Sequence, residues 1–408
     1  MPRMCLRDRS PTAEPDHLPT FLVAAFRNPT GSATEGPSTA PSSTAEARVR
    51  PPDNGRSATV AAVSGLHLTR TAENSDEIDA LAAALSADGG GRVGMAAMAP
   101  DLPFRLRRTY APLPRLLGLK VSRAWTWEGA DRQDPNWYPQ GITTSAQTGF
   151  RESHGHDVLV TSWYARKAGG SRISVVDVER RRYGHVLLVV PTLVDGKAGF
   201  RPLKVHAGGI VWHGDFLHVA ATGAGIHSAH VADVLRVPAG STYQTFGHRY
   251  VLPIRFTQQS GHDHGVERLR YSFLTLDRSD DVPALVVGEY GTPTQTRRMA
   301  RFAIDPDSGL PRHEVDGRAV PEVDDRGVPR MQGVAAVDGT YYVTRSRGRR
   351  KPGSVYVGRP GALRVHRWAT PPGPEDLVWW PETGCLWSVS EHPRRRWVFG
   401  MKRESLPA

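Results

Sequence analysis

The 408 residues carry 52 Lys and Arg against 41 Asp and Glu, a formal charge of +11, with 39% hydrophobic residues. This is ample chain for one large core, tilted towards an anionic rather than a basic partner. Two cysteines, Cys5 and Cys385, indicate neither a disulfide framework nor a Cys₄ or Cys₂His₂ zinc site, and the apolar runs fall short of the roughly 20 residues that span a bilayer.

In chain order, residues 1–65 are rich in Pro, Ser, Thr, Ala and Arg without an apolar period. A disordered tail is expected, because such a segment cannot bury enough surface to offset chain entropy. The apolar stretch Phe21 to Phe26 is shorter than the roughly 7–15 residues of an export-signal core, so a cytoplasmic location is expected, with secretion the alternative if the start codon is misplaced. Residues 66–118 read as a helical and irregular N-terminal arm. Within it, Ser75 to Leu85 (SDEIDALAAAL) combines a polar cap, an acidic first turn and strong helix formers into one short helix, ended by Gly89-Gly90-Gly91.

From 119 to 408 the chain reads as strands. The clearest unit is Val205 to Val219, VHAGGIVWHGDFLHV. A Gly-Gly pair opens the apolar strand Ile210 to Trp212, His213-Gly214-Asp215 turns, and Phe216 to Ala220 returns. The same arrangement lies over Gln140-Gly141-Ile142 with Asp157 to Thr161, and over Gln332-Gly333-Val334 with Tyr341 to Val343. It recurs over Glu375 to Trp380 with Leu386 to Val389. A copy without the glycine runs from Leu269 to Leu276, followed by Ala284 to Gly288. Third strands follow each hairpin, and fourth strands are found at His248 to Phe256 and Ala362 to Trp368. The last copy, ending at Met401, lacks a fourth strand, while Leu119 to Trp127 (LKVSRAWTW) is a spare one at the front.

This pattern resembles a β-propeller: an all-β ring of five blades, four or six being the alternatives, closed by the N-terminal strand so that sheet edges are protected. A β-sandwich accounts for alternating strands but not for their recurring order. The pattern is broadly similar to propellers of the gluconolactonase and strictosidine-synthase type, and the WYPQGIT and HAGGI segments are similar to those of uncharacterised actinobacterial propeller proteins. The first resemblance implies a Glu, Asn and Asp set for a divalent ion. Glu375 in PEDLVWW matches it, but the Asn residues are absent from the other strand starts, so no cofactor and no metal ligand is assigned.

In such a ring the innermost strands start at the channel mouth, and the loops joining second to third strands rim it. That gathers distant residues into one pocket of convergent polar groups. His206, Glu375 and Glu391 are the expected catalytic residues, His206 because imidazole titrates near neutral pH. Gln140, Trp163, Tyr290, Gln332, Arg345 and His392 are the expected ligand contacts. Any one of them has the alternative role of capping a strand end. The basic residues Arg166, Lys167, Arg297, Arg298, Arg347, Arg349, Arg350, Lys351, Arg394, Arg395 and Arg396 are expected on the same face. Two histidine pairs, His154 with His156 and His262 with His264, suggest metal chemistry without an identifiable third ligand.

The expected function is a ligand-binding or catalytic propeller, receiving a small or oligomeric anionic or carbohydrate-like molecule at the mouth of the central channel. Whether it is an enzyme stays open. The alternative is a non-catalytic interaction scaffold docking an acidic protein, polysaccharide or nucleic acid through the basic rim. Nucleic-acid binding is permitted by the charge and nearby aromatics, with nothing more specific behind it. A monomer is expected.

Overall fold

The computed structural model describes residues 65–109 and 117–408. The expectation of a disordered tail therefore lies outside the described residues, Gly65 excepted. Among those described, strands dominate and there are four α-helices, of which only Ser75–Ala87 exceeds two turns. Its buried residues Ile78, Leu81, Ala82 and Leu85 recur at helical spacing and face the core.

Five sheets, antiparallel except for one strand of the first, surround one axis, and their innermost strands touch in a closed cycle. These are Trp137–Thr144, Ile210–His213, Phe273–Asp277, Met331–Val337 and Pro374–Trp380, and the last packs back on the first. We name the sheets I to V in that order. Sheets I, III, IV and V are blades of the expected kind, with four adjacent antiparallel strands running outwards from the axis. In sheet IV, for instance, Met331–Val337, Thr340–Arg345, Gly353–Gly358 and Arg364–Thr370 follow one another directly.

The five like blades expected are corrected to four. After its third strand, Gly225–His230, sheet II is interrupted: the chain lends Leu235–Arg236 and Tyr250–Pro253 to sheet I, the second lying parallel to Arg182–Val194. Only then does it return as Phe256–His262. Leu66–Arg70 and Arg318–Ala319 extend the outer edge of this sheet to six strands. Part of the N-terminal arm is thus a strand, with Leu66 and Leu68 buried against sheet II.

The ring closes through the front of the propeller segment. Val121–Thr126 pairs antiparallel with Trp397–Lys402 and becomes the fourth strand of sheet V. Thr126 Oγ1 adds a bond of 2.8 Å to the Arg396 carbonyl. Apolar side chains fill the spaces between neighbouring sheets, one cluster holding Trp127, Trp163, Tyr183, Trp380 and Trp387. Trp127 stands edge-on to Trp163 and to Tyr183, with ring centroids 4.8 Å away in both cases.

Candidate functional site

The inner strands meet so closely at the axis that side chains are excluded there. Gly141, Gly209 and Gly333 occupy the same place in sheets I, II and IV. A Cβ on Gly209 would lie 2.1 Å from the Leu274 nitrogen, and one on Gly333 2.3 Å from the Asp376 Cα. These contacts leave no room for alanine. Sheet V puts Asp376 at this position, wholly buried. Its Oδ2 accepts from the Ile142 N–H of sheet I at 3.4 Å, and the Ile210 N–H of sheet II also points to the carboxyl. Burial pushes this carboxyl well above the usual range, against the pull of those N–H groups.

One residue earlier on each strand, chemistry begins. Glu375 of sheet V is buried and accepts a hydrogen bond from Gln332 Nε2 of sheet IV at 3.1 Å. Glu391, on the loop after the second strand of sheet V, faces Gln140 Nε2 of sheet I at 3.5 Å. The two acids of one sheet are thereby held by strand-start glutamines from the sheets on either side. Burial, then the negative charges of Glu391 and Asp376, raise the Glu375 carboxyl well above its ordinary value. Burial also raises Glu391, opposed by the Gln140 hydrogen bond and by Arg166, Arg396 and Arg349. The cluster therefore holds two carboxyl groups in unequal environments, one facing mainly like charge and the other facing arginines.

Aromatic and cationic groups enclose the pair. Tyr164 meets the His206 ring edge-on at 4.4 Å, and its hydroxyl is pushed up to about 12 by burial and by Glu391. His206 has an open surface yet sits in a concavity with much protein around it, which lowers its imidazolium pKa. Arg166 lies over the Tyr138 ring at 4.9 Å, and Arg396 lies over the same ring at 4.9 Å. His392 Nδ1 lies 3.2 Å from Glu391 Oε1. Burial and four arginines, Arg349, Arg395, Arg396 and Arg166, bring His392 down to about 4, so it is neutral at pH 7. Its Nε2 and Arg345 Nε are buried without a hydrogen-bond partner, whereas Arg345 Nη1 donates to the Tyr356 hydroxyl at 2.8 Å.

Not every residue expected at the mouth is placed there. Trp163 is fully buried in the core between sheets I and V, with Nε1 donating to Thr161 Oγ1 at 3.1 Å. Successive side chains on a strand point to opposite faces, so its neighbour Tyr164 is the aromatic that reaches His206. Tyr290, by contrast, is exposed yet stands close enough to the cluster for Glu375 and Glu391, after burial, to raise its hydroxyl. Two rim cations are engaged internally: Arg396 donates to the Glu391 and Asp131 carbonyls, and Arg298 clamps the buried Glu289. Tyr138 and Asp376 are the residues that sequence reasoning missed. Asp376 stands in the chain where three of the other inner strands have glycine, and that substitution was its signal.

At the far end of the same axis, beyond the glycine and Asp376 constriction, lies a cavity of about 200 Å³. It is lined by the later halves of the inner strands, including Thr143, Trp212, Thr275 and Trp379, with Arg278 at its edge. It contains none of the residues expected at the mouth.

No family model and no curated protein matches the chain. Several solved structures align with it. A gluconolactonase from Xanthomonas campestris is 16% identical, with 73% of this chain and 84% of that one covered and a TM-score of 0.33. A glutaminyl cyclase from Myxococcus xanthus is 13% identical over 69% and 94%, with a TM-score of 0.36. BamB from Moraxella catarrhalis is 11% identical over 72% and 99%, with a TM-score of 0.27. Likeness at this level concerns the fold alone, and the sheets described above make this chain a β-propeller.

Proposed function

We propose that the mouth around Glu375 and Glu391 binds a small or oligomeric carbohydrate-like molecule that carries a negative charge, such as a sugar acid. The observation that carries this reading is the pairing of each acid with a glutamine from a flanking sheet, Glu375 with Gln332 and Glu391 with Gln140. Carboxyl and carboxamide groups side by side offer the mixed donors and acceptors that hydroxyl groups require. Arg166, Arg349 and Arg395 add the attraction for an anion. If the bound molecule is turned over, Glu375 is the proton donor and Glu391 the acceptor, because groups driven apart by their surroundings divide those roles.

The test is calorimetric titration of the full chain with D-glucuronate and with a short oligogalacturonide, with D-glucose as the neutral control. Saturable binding of the acids is expected, weakened about tenfold or more in Glu391→Gln and in Gln332→Ala with melting temperatures retained. Binding that is equal for glucose, or unchanged in both variants, overturns the proposal. Binding that is lost only on reversing rim arginines, and graded with salt, favours the scaffold instead.

A further inference from the structure

Away from the mouth, the loop joining the first two strands of sheet I brings two histidines together. His154 ends the short helix Phe150–His154, Gly155 follows with φ of +88°, and His156 comes next. The left-handed glycine folds the chain back on itself, so the two imidazoles stand 4.6 Å apart between centroids. The two rings meet across a helix end. The third group comes from the last residue of the Ser171–Asp177 strand. Asp177 is fully buried, and its Oδ2 lies 2.5 Å from His156 Nε2.

From this geometry we propose that His154, His156 and Asp177 bind a divalent transition-metal ion, zinc being the best match, as a clip between the two loops at the end of sheet I remote from the mouth. One ligand atom from each of the three lies within 4.8 Å of the others. Two ligands on a tetrahedral zinc stand about 3.3 Å apart, given metal–ligand distances of about 2.0–2.2 Å. The His156–Asp177 edge therefore opens by under an ångström when the ion enters, and the His154 edges, at most 4.8 Å long, close by up to about 1.5 Å. Two observations favour an ion over a simple His–Asp hydrogen bond. His154 Nε2 is buried with no hydrogen-bond partner, although its neighbour's partner is beside it. Asp177 Oδ1 is already fixed by the Arg180 N–H at 2.7 Å, which orients Oδ2 towards the histidines as a second-shell bond does in metal sites.

Two imidazoles and one carboxylate suit zinc, iron or nickel rather than calcium or magnesium, and three protein ligands leave a fourth position for water. Arg180 is a cation beside the site, with Nε 3.8 Å from Asp177 Oδ2. Its side chain is half exposed, so it can move aside into solvent.

The experiment is titration of the metal-stripped full chain with Zn(II), and with Co(II) as a spectroscopic stand-in, alongside thermal melts. One equivalent should bind, the visible cobalt bands should report nitrogen and oxygen ligands, and zinc should raise the melting temperature by several degrees. His154→Ala, at a partly exposed position, and His156→Ala should each weaken binding at least tenfold and abolish the thermal shift. His262→Ala should leave both unchanged. The chain has 16 histidines, so binding undiminished in His154→Ala and His156→Ala places the ion elsewhere and overturns the proposal. So does the absence of a bound equivalent in the wild-type chain.

Discussion

Glu375 and Asp376 concentrate the electrostatic strain of the molecule in two adjacent side chains. Both carboxyls have folded-state pKa values above those of the unfolded chain. Over the range above about pH 4, the folded protein holds protons that the unfolded chain gives up, so stability falls as pH rises towards the folded values. Glu375→Gln removes one such proton while keeping an oxygen for Gln332 to donate to. Its melting temperature should exceed that of the wild type at pH 8 by more than at pH 5, and an equal difference at the two pH values counts against a neutral Glu375. The fate of Trp163 belongs to the same scale. A run of Ser162-Trp163-Tyr164 advertises an aromatic rim, but the sequence does not say which of two adjacent rings points inwards. The alternation of the strand decides for Tyr164, which is the ring beside His206.

At the scale of the strand, the ring axis explains which repeats were legible. Gly141, Gly209 and Gly333 recur before an aliphatic residue because the inner strands approach within the reach of a single carbon atom. Gly209→Ala forces a Cβ against backbone and should cost about 3 kcal/mol or more in denaturant unfolding. Gly196→Ala, at a turn with nothing within 4 Å of the added carbon, should cost less. The copy in sheet III was hard to recognise because Phe273 replaces the glycine there. The room is made on the neighbouring strand instead: Phe273 sits opposite Gly288, whose Cβ would collide with its ring. Other features left no local trace. Leu66–Arg70 finds its partner at Gln258–His262, far along the chain, and His156 finds Asp177 across an intervening strand. Pairing at such separation is decided by the fold, and only the complete ring shows it.

For the molecule as a whole, acid sensitivity and closure follow from the same architecture. His218 and His248 are buried and His227 half-buried, all in neutral form, with burial first among the causes that lower His218, His227 and His248 to about 3, 4 and 3. The unfolded chain gains protons at these sites as pH falls below about 6.5 while the folded chain does not. Stability is thus present above pH 6.5 and lost towards pH 4, with each site contributing at most about 1.4 kcal/mol per pH unit. A melting-temperature profile should fall over that interval, opposing the carboxyl effect, and should become shallower in His218→Asn. The seam of sheet V gives a further prediction. Ala124 is buried and lies opposite Phe399, so Ala124→Asp should cost about 3 kcal/mol or more. Arg123→Asp, on the exposed side of the same strand, should remain close to wild type in the same denaturant experiment.

That seam also dictates a timetable for biosynthesis. Val121–Thr126 leaves the ribosome about 270 residues before its partner Trp397–Lys402 is translated. At about 5–20 residues per second, the interval is on the order of 10–60 s. Throughout it, a nascent strand bearing Trp125 has an open edge and the other blades stand as an incomplete arc. Holdase chaperones would find their binding site there, and any pause in translation before Trp397 would lengthen the exposure.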